Sequence, residues 1–273
     1  MSRVRVEIDN HIAKVTLTRA DKRNAVDPEM AEAIVAAGQE LCKSDIRAVV
    51  LSGEGQAFCA GLDVMSFAKF AAADPEAMIM PRSHGNTNIF QEVAMVWRRV
   101  PVPVIAALHG AVYGAGFQLA LGADIRIAHP EAKLAVMEMK WGLIPDMGGM
   151  ALLPGLTRSD VIRRLTYTAA PVGASQALDW GLVTEIADDP LAAALDVAAQ
   201  IAAKSPSAIR AAKRLIAVAE SGAGEDDILL ADSVEKQRVA VAESVVLNRA
   251  RAPFLSGFAR LLRCRKDLGQ FAE

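Results

Sequence analysis

The sequence predicts an α/β fold with buried strands in the first part of the chain and a helical C-terminal third. Three observations predict it. Short apolar runs at Ala48 to Leu51 (AVVL), Val104 to Leu108 (VIAAL) and Ile125 to Ala128 (IRIA) are bounded by Gly, Pro or Asp. Helical stretches separate them, which argues for repeated ββα or βαβ units. After about residue 158 the strand signals fade, and SDVIRRLTYTA, ASQALDWG, PLAAALDVAAQIAAK and SAIRAAKRLIAVAE all carry Ala-rich apolar faces at helical spacing.

Taken in order, Val4, Val6 and Ile8 alternate, Asp9-Asn10 offers a turn, and Ile12, Val15 and Leu17 follow. This is the pattern of an N-terminal β-hairpin. Asp27-Pro28 supplies an N-cap with proline at the first helical position, and Met30, Ile34, Ala37 and Leu41 share one helical face. Asp74 to Asn88 holds Pro75, Pro81 and Gly85 among polar residues and is expected to be a mobile surface loop. Val100 to Ala123 has no Asp, Glu, Lys or Arg and is long enough to span a bilayer. Its two early prolines, its four glycines and His109 favour a buried strand, a turn and a helix instead.

Composition narrows the function. In 273 residues, 52% hydrophobic and 23% charged, the balance is that of a folded globular protein. A net charge of -2 without a long basic block gives no footprint for nucleic acid. Cys42, Cys59 and Cys264 are scattered singly, as expected of free thiols in a reducing cytoplasm. The N-terminus interleaves charged and apolar residues and lacks the apolar core of a secretory signal. His11, His84, His109 and His129 share no metal-ligand spacing and are expected in turns or at the surface.

Two stretches read as sites for negative charge. Gly53 to Asp63 (GEGQAFCAGLD) is a strand end and a glycine-broken loop, with Ala60-Gly61 placed to open a helix; Gly110 to Gln118 (GAVYGAGFQ) repeats the arrangement. Free backbone N–H groups at such places suit an anion or a developing oxyanion, although a plain strand-to-helix turn has the same pattern. Downstream, VMEMKWGLIPDMGG carries two acids, Glu138 and Asp146, on either side of Gly142 and Pro145. Those breakers rule out one continuous helix, so the chain must fold back between the acids. A helix cap for Asp146 and an ion pair with Lys140 or a nearby Arg for Glu138 are the plain alternatives. Met137, Met139, Trp141 and Met147 around the acids read either as an apolar wall for an acyl chain or as ordinary core.

The runs KRNAVDPEM, FCAGLD, PVIAALHGAVYGAGFQLALGADIRIA and EMKWGLIPDMGG, in this order, resemble the crotonase family of enoyl-CoA hydratases and isomerases. The resemblance implies a spiral of ββα units over residues 1–200 and a helical region over 201–273 that trimerises, as a homotrimer or a dimer of trimers. It implies an acyl-CoA substrate, with coenzyme A entering only as part of that substrate, and no metal or redox cofactor. The backbone N–H groups of Ala60 and Ala115 are the implied oxyanion hole, with alanine at 115 where glycine is usual. Lys22, Arg23, Ala25, Ala60 and Leu62 are the implied CoA contacts, while Arg249 and Arg251 match a basic phosphate contact loosely. Arg260, Arg263, Arg265 and Lys266 form a further basic tail that reads first as a solvated face.

Of the family's two hydratase glutamates, the later matches Glu138 and the earlier falls on Gln118, which transfers no proton. Asp146, eight residues beyond Glu138, matches an acid of the dienoyl-CoA isomerases, whose third acid again falls on Gln118. The expectation is therefore double-bond isomerisation by Glu138 and Asp146 in a cytoplasmic enzyme that neither binds nucleic acid nor enters a membrane. Hydration by Glu138 with Gln118 holding water is the first alternative. An acyl-CoA-binding protein without turnover is the second.

Overall fold

The computed structural model describes residues 2–63, 65 and 75–244. The chain divides into two compact units, Met1–Lys204 and Ser205–Glu273. Arg249, Arg251, Arg260, Arg263, Arg265, Lys266 and Cys264 lie outside the described residues.

The first unit carries strands β1 (Val4–Asp9), β2 (Ile12–Leu17), β3 (Ala48–Gly53), β4 (Val104–Leu108), β5 (Ala111–Tyr113), β6 (Ile125–Ala128), β7 (Lys133–Ala135), β8 (Val172–Gly173) and β9 (Glu185–Ile186). Six form one sheet in the order β1-β2-β3-β4-β6-β9, and β5-β7-β8 form a second. In the first sheet the hairpin β1–β2 is antiparallel and β2, β3, β4, β6 and β9 run parallel; in the second, β5 and β7 are parallel and β8 is antiparallel to β7. Alternate residues of the central strands enter two separate apolar clusters. Val49, Leu51, Ala106 and Leu108 face the main core, whereas Ala48, Val50, Ile105 and Ala107 pack with Ala194 and Ala198 of the helix Pro190–Ala202. Coverage on both faces explains why these strands read as continuous apolar runs.

Three sequence expectations change in the structure. Val6 and Ile8 alternate, yet they are 40% and 54% exposed because β1 is the sheet's edge. Residues 75–79, expected in a loop, form the helix Pro75–Ile79, and His84 pairs with Thr87 in an isolated bridge. Strands β8 and β9 have two residues each, too short to show a period in the sequence.

The helix Pro28–Leu41 begins as its sequence predicts. Asp27 Oδ1 accepts the Met30 N–H at 2.8 Å, and Pro28 occupies the first turn. The same carboxylate pairs with Arg3 at 2.5 Å and lies 3.4 Å from Arg19, whose other guanidinium nitrogen reaches Asp63 at 2.6 Å. This buried network ties the helix start to the loop ending at Asp63.

In the second unit, Ser205 caps the helix Pro206–Glu220 by accepting the Ala208 N–H, and residues 225–244 are helical. Arg214 donates two bonds to Glu235, at 3.0 and 2.5 Å, and Arg238 donates a third at 2.6 Å. Ile216, Leu229, Leu230 and Val241 are each more than half exposed.

Asp27→Ala removes both the cap and the buried ion pairs and should lower stability by about 2 kcal/mol or more, whereas Asp27→Asn keeps the cap and should lose less. Urea denaturation of the two variants checks this; equal losses would assign the effect to charge alone.

Candidate active site

Backbone pairing places the two glycine-containing stretches side by side. Phe58 N–H donates to the His109 carbonyl at 2.8 Å, Cys59 N–H to Ala111 at 3.1 Å, and Tyr113 N–H to Cys59 at 3.0 Å. On the opposite side, Ala60 N–H donates to Arg23 at 2.9 Å, Val26 N–H to Gly61 at 2.8 Å and Asp63 N–H to Val26 at 2.9 Å. Residues 58–63 thus lie as an extended segment between 23–26 and 109–113. They do not open a helix at Ala60-Gly61, as the sequence suggested. Gly61 has φ +106, a backbone that side chains resist, and a Cβ there would come within 3.1 Å of the Tyr113 carbonyl.

This pairing corrects one expected site residue. The Ala60 N–H is spent on the Arg23 carbonyl, so it has no hydrogen left for a ligand. Two residues on, the Leu62 N–H points away from Val26 and donates no hydrogen bond among the described residues. Ala115 is the first residue of the helix Ala115–Leu121 and its N–H is likewise uncommitted, as helix geometry requires. Leu62, Ala115, Met137, Glu138, Trp141 and Leu143 line one cavity of about 160 Å³, with Lys140 at its wall. The Leu62 and Ala115 amides are thus both at this cavity and both without an acceptor among the described residues.

Glu138 opens the short 3-10 turn Glu138–Trp141 and is 7% exposed. Gly142 and Gly148, both at positive φ, bracket the reversal that brings Asp146 back toward it. Helix Gly149–Leu152 is capped by Gly148 with no side-chain bond, so Asp146 is not its cap; Glu138 has no ion pair among the described residues. Burial pushes the Glu138 carboxyl above the usual range, and the nearby Asp146 charge pushes it the same way, against its own backbone and the Gln118 amide. Desolvation also raises the Asp146 carboxyl, although the residue as a whole is exposed. One Glu138 oxygen, Oε2, is buried and unpartnered among the described residues.

Gln118 is 1% exposed and its three polar contacts are internal. Its Nε2 donates to Glu138 Oε1 at 2.6 Å, and its Oε1 accepts the N–H groups of Met147 and Gly149, each at 2.9 Å. Both lone pairs of that oxygen are used, which leaves no acceptor for the water assigned to Gln118 in the hydration alternative. Met137 and Trp141 line the cavity, whereas Met147 is buried in the main core and Met139 is exposed, so the sulfur-aromatic wall is only half of what the sequence suggested.

Of the expected CoA contacts, Lys22 and Arg23 are exposed, Ala25 is half-buried, and Ala60 and Leu62 line the cavity. Asn24 escaped the sequence reading. At φ +55 it accepts the Arg19 N–H and donates to the Glu54 and Ala57 carbonyls, each at 2.9 Å, holding the loop beneath the cavity. Cys59 donates its thiol to the Asn24 carbonyl and is pushed up to about 12 by burial, an inert structural thiol. His11 lies exposed in a turn, whereas His84, in its bridge, and His109 and His129, in loops, are half-buried; His109 Nε2 is 3.0 Å from the Gly55 carbonyl oxygen.

Residues 7–240 match the family model described as enoyl-CoA hydratase/isomerase. The chain belongs to this family. It is 35% identical over 211 residues to the mitochondrial Δ(3,5)-Δ(2,4)-dienoyl-CoA isomerase of Mus musculus, covering 74% of this chain. The chain spans 64% of that relative's length. It is 36% identical to a protein of Mycobacterium tuberculosis named a probable enoyl-CoA hydratase, over 77% of this chain and 79% of the relative. A hydratase-named protein of Thermobifida fusca YX, solved in complex with CoA, superposes with a TM-score of 0.76 at 30% identity, covering 89% of this chain and 95% of that one. No helix among the described residues is long and apolar enough to cross a membrane.

Because the folded Glu138 carboxyl is raised, the folded protein keeps a proton that the unfolded chain releases near its ordinary value of about 4.3. Stability therefore falls as pH rises from that value through the folded one. Glu138→Gln should raise the thermal midpoint at pH 7 to 8, and the gain should vanish below about pH 4; a pH-independent gain in a melting series would rule out burial as its cause.

Proposed function

We propose that the protein isomerises a double bond in an unsaturated acyl-CoA thioester, with Glu138 and Asp146 as its proton-transfer pair. The supporting observation is that two raised carboxyls neighbour one another across the 142–148 reversal, while the third polar position, Gln118, is committed to internal bonds and carries no transferable proton.

In this reading the thioester oxygen rests on the Leu62 and Ala115 N–H groups. One carboxylate removes a proton from the carbon beside the thioester, and the electron pair moves onto that oxygen as an enolate. The other carboxyl, still protonated, returns a proton to a more distant carbon as the double bonds shift, so the product has the substrate's composition. Neighbouring acids raise each other's affinity for the first proton, which favours the singly protonated pair this exchange needs. Each oriented N–H is worth roughly 3 to 4 kcal/mol of barrier. Proton transfer alone requires no metal or redox group.

The exposed Lys22 and Arg23 support a role at the nucleotide end of CoA, with Ala25 bonded to the Lys22 carbonyl and Leu62 bridged to Val26. The exposed Ile216, Leu229, Leu230 and Val241 support self-association, as a trimer or a dimer of trimers. The buried Cys59, a thiol bonded to the Asn24 carbonyl, supports a reducing cytoplasm. Hydration of a 2-enoyl-CoA by Glu138 is the second reading, favoured by the hydratase-named relative.

Incubation with 2-enoyl-, 3-enoyl- and 3,5-dienoyl-CoA in heavy-oxygen water, read by mass spectrometry, separates the two. Isomerisation gives an unchanged mass and a shifted double bond; a product heavier by one labelled water makes hydration the activity. Glu138→Gln should cut kcat by roughly 100-fold to 10,000-fold in either case. Asp146→Asn should match that loss only for isomerisation, and an intact Asp146→Asn enzyme would sink the pair. Tight acyl-CoA binding without turnover across the panel would leave only a binding protein.

A further inference from the structure

We propose that Gln118 is a positioning residue that makes Glu138 Oε2 the proton-carrying atom and holds the Asp146 turn in register with it. The inference rests on the reading of Glu138 as the group that moves protons, but not on which reaction those protons serve.

The orientation of the Gln118 amide follows from its partners. Met147 and Gly149 present backbone N–H groups, which can only donate, so the atom facing them must be the carbonyl oxygen. Its NH₂ group therefore faces Glu138 Oε1, at 2.6 Å. A donor pointed at Oε1 excludes a proton there. Any proton on neutral Glu138 resides on Oε2, the oxygen without a hydrogen-bond partner among the described residues. A second carboxyl at position 118 would not make this distinction, since either acid of such a pair can hold the shared proton.

The same side chain reaches the second acid through the backbone. Met147 directly follows Asp146, and its N–H is anchored to the amide that orients Glu138. The approach is close enough to exclude a side chain at Gly149, where a Cβ would lie 2.8 Å from Gln118 Cγ and 2.9 Å from its Oε1. The charged groups facing Glu138 are few. The reversal presents Asp146, the 3-10 turn presents Lys140 at the cavity wall, and the helix Ala115–Leu121 presents the uncharged Gln118.

Gln118→Met keeps the length of the side chain and removes its donor and acceptor. It should lower kcat roughly 10-fold to 100-fold with KM nearly unchanged, the scale of a small misplacement of a reacting group. It should also move the acidic limb of the kcat–pH profile upward, because the lost N–H favoured the ionised carboxyl. Gln118→Glu keeps acceptors for both backbone amides, so it should fold even if the methionine variant does not, and should move the limb further up through a shared proton. Carbon-13 NMR titration of Glu138 in glutamate-labelled protein, assigned with Glu138→Gln, reads the same shift without substrate. A wild type lacking turnover would count against the proposed function while leaving that titration decisive here. An unmoved Glu138 titration in both folded variants would overturn the proposal, as would a loss of kcat with the acidic limb in place, which would reduce Gln118 to a structural tie.

Discussion

The backbone ladder that lays residues 58–63 between 23–26 and 109–113 is the constraint on which the site depends. It joins the loop after β3 to the loop after β4, neighbours in a sheet buried on both faces, so its rungs inherit the rigidity of the core. Each rung also consumes a donor. Leu62 and Ala115 keep N–H groups that neither the ladder nor the helix takes among the described residues. Availability of a backbone donor is decided by what the opposite chain takes, and residue type has little say in it.

Around that frame the molecule keeps groups that folding alone would disfavour. Glu138 is enclosed, near a second acid, with one oxygen unpartnered among the described residues. An unsatisfied buried oxygen costs about 1 to 3 kcal/mol, the sort of expense found where a site keeps an atom ready for a ligand. The surroundings limit the disorder this invites. The Arg19, Asp27 and Asp63 network fastens one side of the loop, Asn24 supports it from beneath, and Gln118 bridges the two acid-bearing segments. The Leu62 and Ala115 amides and the Glu138 carboxyl therefore reach one cavity, with Asp146 on the neighbouring turn.

Legibility in the sequence followed the range of the interaction. The Asp27-Pro28 helix start and the β1–β2 hairpin were readable because each is settled within a few residues. The apolar runs of β3 and β4 were readable because burial on both faces leaves no alternation to confuse. The exposure of Val6 and Ile8 was hidden, since only the assembled sheet makes β1 an edge. Glu138 and Asp146 stood out as acids in an apolar, glycine-broken stretch, and Gly142 with Pro145 announced the reversal between them.

By itself the sequence determined the N-terminal hairpin, the helix after Asp27-Pro28, the central buried strands, the family resemblance and the pair of acids, all of which rest on residue type and local spacing. Only the tertiary structure decided which amides are free, moving the first from Ala60 to Leu62, and what Gln118 does. Both depend on partners far along the chain: Arg23 for the Ala60 N–H, and Glu138, Met147 and Gly149 for the glutamine. A hydrogen bond is a statement about two groups, and the sequence displays them one at a time.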